Sequence, residues 1–81
     1  MNFIRTDQYV EQSDDGRYSI CAVKTEFGWR FGAWRCGERD AQGRVPLENL
    51  SRIAVTNDAE IARQICRDDA AVMAFYGRRS A

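Results

Sequence analysis

The stretch YSICAVKTEFGWRFGAWRC, from Tyr18 to Cys36, holds two runs rich in β-branched and aromatic residues around Glu26-Phe27-Gly28. Such runs flanking a short loop that ends in glycine predict a β-hairpin. Tyr18 to Thr25 is the outgoing strand and Trp29 to Cys36 the returning one. A three-residue loop sets the register by facing Thr25 with Trp29. Val23 then faces Phe31, Cys21 faces Ala33, Ile20 faces Trp34, and Tyr18 faces Cys36. A two-residue loop shifts every pair by one and scrambles these sets.

Upstream, Asp14-Asp15-Gly16-Arg17 is a turn, because Asp and Gly tolerate the backbone angles that turns need. It bounds a first strand at Asp7–Gln12, with Phe3 and Ile4 as its extension. Downstream, the polar, glycine-flanked Gly37–Gly43 reads as a loop. Leu47–Val55 has two readings, a fourth strand at Arg52–Val55 and a short helical turn at Leu47–Leu50. A C-terminal helix follows. Asn57 is its expected cap, with Glu60 as reciprocal partner. Ile61, Ile65 and Val72, with Ala62, Cys66 and Met73 alongside, recur at helical spacing. Asp68-Asp69 is assigned to its wet side or to the cap of a second short helix, Gly77 is a stop, and Arg78–Ala81 is a frayed tail. The expected fold is therefore α+β: an antiparallel sheet of three to four strands with a C-terminal helix packed on one face.

Eighty-one residues make one domain, 1–81, with a small core. Twelve basic residues balance twelve acidic ones, with both signs interspersed. That balance argues against coating bare nucleic acid or an anionic membrane, and against acidic DNA mimicry. No stretch has the length of a signal peptide's apolar run or of a membrane span, so the expected location is the cytoplasm. Cys21, Cys36 and Cys66 are odd in number and widely spaced, which predicts free thiols, mostly in the core.

The composition leaves little room for catalysis. The chain has no histidine, so the usual base for a nucleophile and a common zinc ligand are both missing. Cys36, beside Arg35 and near Arg39, is the best thiol for activation by cations, but nothing completes a site around it. The acid pairs read as turn and solvated-face chemistry, and the glycines form no phosphate loop. The expectation is a non-enzymatic protein with no cofactor and no metal.

The sheet supplies the positive signal. The three-residue loop puts Cys21, Val23, Thr25, Trp29, Phe31 and Ala33 under the helix. The other face then carries Tyr18, Ile20, Lys24, Arg30, Trp34 and Cys36. A solvated sheet face should be polar, and this one is aromatic, with basic residues at its end. Its cover has three candidates: the N-terminal segment or the loop around Leu47 and Leu50, a second copy in a homodimer, or a foreign partner. Trp, Tyr and Arg are common interface anchors. Tyr18, Ile20, Arg30, Trp34 and Arg35 are accordingly the expected partner-binding residues. The expected partner is another protein or a protein–RNA complex. The alternatives are a single-stranded nucleic-acid module stacking bases on Trp34 and Tyr18, and a structural homo-oligomer.

In size and plan the chain resembles the small accessory proteins of phages and mobile elements, among them the type I anti-CRISPR proteins. These share no common motif, so the resemblance carries no residue across. It implies a stoichiometric inhibitor that binds a CRISPR surveillance complex in a bacterial cytoplasm.

Overall fold

In the computed structural model, which describes residues 1–79 (side chains through Gly77), five strands form one antiparallel sheet in sequence order. They are β1 (Phe3–Asp7), β2 (Val10–Ser13), β3 (Tyr18–Thr25), β4 (Gly28–Cys36) and β5 (Leu50–Thr56). A 3₁₀ turn, Leu47–Asn49, precedes β5, and one helix, α1 (Ala59–Arg79), follows it. The α+β class stands, with one strand more than expected. The expected strand at Asp7–Gln12 is instead split by a turn, and its halves pair as β1 and β2. Both readings of Leu47–Val55 are realised in succession, the 3₁₀ turn running directly into β5.

The central hairpin forms with a different register. Its loop is Glu26-Phe27 alone, and Gly28 already pairs with Thr25. Lys24 therefore faces Trp29, Val23 faces Arg30, Ile20 faces Ala33, and Tyr18 faces Arg35. Gly28 makes the short loop possible. Its φ is +101°, a region that a side chain disfavours. The Thr25 hydroxyl locks the loop, donating to Gly28 O at 2.8 Å and accepting from Phe27 N at 3.2 Å. A methyl group on Gly28 would meet nothing within 4 Å, so Gly28→Ala costs backbone strain alone. The expected loss is about 1–2 kcal/mol, read as a lower urea midpoint with unchanged slope.

The one-residue shift decides which residues α1 covers. Tyr18, Ile20, Phe31 and Ala33 share the helix side, and the buried core is Tyr18, Ile20, Ala33, Ala62 and Cys66. The helix stripe is centred on the residues expected alongside its leading ones. Small Ala62 and Cys66 face the sheet, while Ile61 and Met73 are about half exposed. Small residues let the helix sit close on Ala33, where branched ones would hold it away. The helix is continuous through Asp68-Asp69 and Gly77, so neither the second short helix nor the glycine stop forms. The expected tail falls outside the described residues, except that Arg78 and Arg79 continue the helical backbone. The cap is Asp58, one residue later than expected. Its Oδ1 accepts from Glu60 N at 2.7 Å and from Ile61 N at 3.4 Å.

Two bidentate pairs of opposite polarity clamp helix to sheet. Arg35 on β4 donates Nε and Nη2 to Asp69 at 2.9 and 2.6 Å. Arg63 on α1 donates Nε and Nη2 to Glu11 on β2 at 2.8 and 2.6 Å. The Tyr18 hydroxyl donates to Asp69 Oδ2 at 2.6 Å. Asp69 is thus an inward-facing ligand of the sheet, and only Asp68 belongs to the wet side expected for both.

Candidate functional site

The side of the sheet away from α1 is left open by the described residues. Neither chain segment proposed as its cover lies over it: residues 3–13 extend the sheet sideways as β1 and β2, and the 47–50 segment builds a wall at the opposite edge. The register brings Cys21 and Val23 of β3, Gly32 and Trp34 of β4, and Val55 of β5 onto this side. With Leu47 and Leu50 they line a cleft of about 480 Å³, which Ser19, Thr25, Arg30 and Arg52 complete.

Each part of the cleft has a local cause. A Cβ on Gly32 would stand 3.1 Å from Trp34 Nε1, so the missing side chain is what lets the indole lie across the strand as a floor. The register shift between Ala33 and Trp34 pairs Ala33 with Ala54 and Trp34 with Arg52, leaving Ile53 as an extra residue. That bulge turns Ile53 into partial packing against the core while Arg52 and Val55 stay on the open side. The wall is pinned by Gly37 N, which donates to Asn49 O at 2.7 Å, and by Asn49 Nδ2, which donates to Glu38 O at 2.8 Å. Leu47 stands on this turn at 83% exposure.

The charged groups sort by side. Arg35, Arg63 and Arg67 on the helix side all pair with carboxylates. On the open side, Arg30 Nη1 donates only to its neighbour Trp29 O at 2.9 Å. Arg52 and the Trp34 indole N–H have no side-chain partner among the described residues. Among the described residues no Asp or Glu lines the cleft.

The five expected partner-binding residues are therefore divided. Arg30 and Trp34 line the open face. Tyr18 and Ile20 are each 3% exposed beneath the helix, and Arg35 is held by Asp69 on the same side. For Tyr18 and Ile20 the correction follows from the loop, since one residue fewer moves them to the covered face, whereas Arg35 shares the parity of Phe31 and Ala33 and lies on the helix side in either register. Residues absent from the expected site, namely Cys21, Val23, Leu47, Leu50, Arg52 and Val55, form most of it. Alternation along β3 with the opposite parity would have named Cys21 and Val23, and Gly32 beside Trp34 is the visible sign of a flat indole.

Burial pushes Cys66 up to about 11 and also raises Cys36, where the pull of Arg39 is the smaller effect. Cys66 is buried, while Cys21 and Cys36 are half-buried rather than core residues. Among the described residues no cluster of acids and cysteines could hold a metal ion, and no helix is long and apolar enough to cross a membrane. Comparison with protein families, with characterised proteins and with solved structures finds no match.

Proposed function

We propose that the protein is a non-catalytic binding module, an inhibitor or adaptor that docks a protein partner on the open face of its sheet. The observation that carries this reading is the apolar cleft around Trp34, on a side that in a one-helix antiparallel sheet should be polar. Contiguous exposed apolar surface of this kind marks interaction sites. The raised thiol pKa values and the absence of histidine support a role without nucleophilic chemistry. The resemblance to type I anti-CRISPR proteins would make the partner a CRISPR surveillance complex, and co-purification with such a complex tests that form of the proposal.

Base stacking on single-stranded nucleic acid is less well supported than the sequence alone suggested. Tyr18 and Trp34 lie on opposite sides of the sheet, so they form no shared platform. A homo-oligomer through the same cleft is separated from a monomeric binder by light scattering.

Trp34→Ala tests the docking reading. An indole at the centre of an interface commonly contributes about 2–4 kcal/mol, so affinity for a co-purified partner should fall by roughly 30-fold or more. Circular dichroism and melting temperature should stay close to wild type, because Trp34 is outside the buried cluster. Unchanged affinity, or loss of the fold, would remove the open face from consideration.

A further inference from the structure

We infer that the occupant of the open face is an acidic amphipathic segment of another protein, with apolar side chains against the Trp34 floor and carboxylates on Arg30 and Arg52. The inference rests on the docking reading above and adds the chemistry of the partner.

Charge complementarity carries it. The chain as a whole is neutral, yet its opposite charges meet on the helix side, where three arginines are paired with acids. The cleft keeps two guanidinium groups with no carboxylate beside them among the described residues. Its indole N–H adds a third donor, and among the described residues the only side-chain oxygens in the lining are the hydroxyls of Ser19 and Thr25. A ligand there must bring acceptors. Planar carboxylates suit guanidinium donors, which engage them bidentately, as Asp69 and Glu11 do on the other side of this sheet.

The lining also separates a protein segment from a nucleic acid. Single-stranded nucleic acid needs serial aromatic platforms and a basic track for its backbone. This cleft has one indole, two cations and otherwise aliphatic or small side chains. The spacing of the cations gives the segment a signature. Arg52 lies opposite Trp34, and Arg30 is four residues away along β4, so the two are about 13 Å apart at a strand rise of about 3.3 Å per residue. An extended segment would place its acids about four residues apart. A helical one, rising about 1.5 Å per residue, would place them about eight to nine apart with apolar residues between.

Selection from a display library of random peptides, about sixteen residues long, tests this on the full chain, with R30E/R52E as the counter-selecting variant. Both arginines are at the cleft rim, and circular dichroism of the variant confirms its fold. The expected result is recovery of apolar peptides with net negative charge. A synthetic representative should bind wild type at least about tenfold more tightly than R30E/R52E, weaken with added salt, and lose binding when its acids become lysine. Neutral apolar peptides that W34A no longer binds would overturn the acidic preference while leaving the docking face standing. Peptides indifferent to W34A, or no recovery at all, would overturn both. Tighter binding of a single-stranded oligothymidine than of any recovered peptide would replace the protein segment by nucleic acid.

Discussion

Asp69→Ala is expected to lower the melting temperature by about 10–20 °C, while the same change at its neighbour Asp68 shifts it by about 2 °C or less. Asp69 accepts three hydrogen bonds from the sheet, two from Arg35 and one from the Tyr18 hydroxyl. Asp68 meets only Gln64, one turn back on the exposed side of the helix, at 3.0 Å. Removing the Asp69 carboxylate leaves a phenol in a residue that is 3% exposed, and a guanidinium, without their acceptor. Hydrogen bonds to a charged group contribute about 1.5–3 kcal/mol each. The Arg35 side chain is 37% exposed, and water replaces part of what it loses, so about 2–3 kcal/mol in total is the reasonable scale. In a domain of this size each kcal/mol moves the midpoint by about 4–8 °C. Equal melting of the two variants would show that the trio does not hold the helix down.

The same trio fixes a pH window. The Arg35 guanidinium holds the Asp69 carboxyl below its usual range, and the Tyr18 hydroxyl lowers it further, against the opposing effect of burial. The unfolded carboxyl, with a pKa near about 4, therefore takes up its proton first as the solution is acidified. The contribution of Asp69 is complete above that value and is lost as pH falls through the lower folded one. Tyr18 has the opposite sense. Burial, then the Asp69 carboxylate, pushes its phenol up to about 12. Its contribution is intact below the unfolded value of about 10 and wanes as pH rises through the folded one.

Much of this arrangement was legible from residues 1–81, and the rest was hidden for identifiable reasons. The hairpin, the Asp14–Arg17 turn and the helix follow from local chemistry that acts over four or five residues. The register does not. Gly28 fits equally as the last residue of a three-residue loop or the first of the returning strand, and only its packing consequence, Ile20 and Phe31 on one side, separates the two. The helix stripe was obscured because hydropathy ranks Ile61 and Met73 above Ala62 and Cys66, whereas close approach to Ala33 favours the small pair. Asp69 was the recoverable miss. It stands three residues after Cys66 and seven after Ala62, squarely in the stripe that faces the sheet, and an acid there needs a partner such as Arg35. Arg30 and Trp34 were placed on the open side by the wrong register and stay there in the right one, because two strands that shift by one residue exchange the partners of β4 without emptying either face.

Ile20→Ala should cost about 3 kcal/mol, and Val23→Ala about 0.5 kcal/mol or less, although the two positions are three residues apart on one strand. Ile20 is the largest aliphatic side chain in a buried cluster of five, and it lies directly beside fully buried Ala33. Truncating such a side chain removes its transfer free energy and leaves a cavity, for a total of about 2–5 kcal/mol. Val23 is 57% exposed on the open side, so its loss leaves no cavity. A domain of this length has roughly 4–12 kcal/mol of stability in all, which makes the Ile20 change a large fraction of it. Urea denaturation with an unchanged slope is the measurement. The register gives this contrast a second arm. Under the three-residue loop Ile20 would sit beside Trp34 on the docking side, and its truncation would weaken binding while sparing the fold. Under the two-residue loop the effects separate: Ile20→Ala weakens the fold and, in the folded fraction, leaves affinity for a partner intact, whereas Trp34→Ala does the reverse. A stable Ile20→Ala variant with impaired binding would return Ile20 to the open face and reverse the assignment of the two sides.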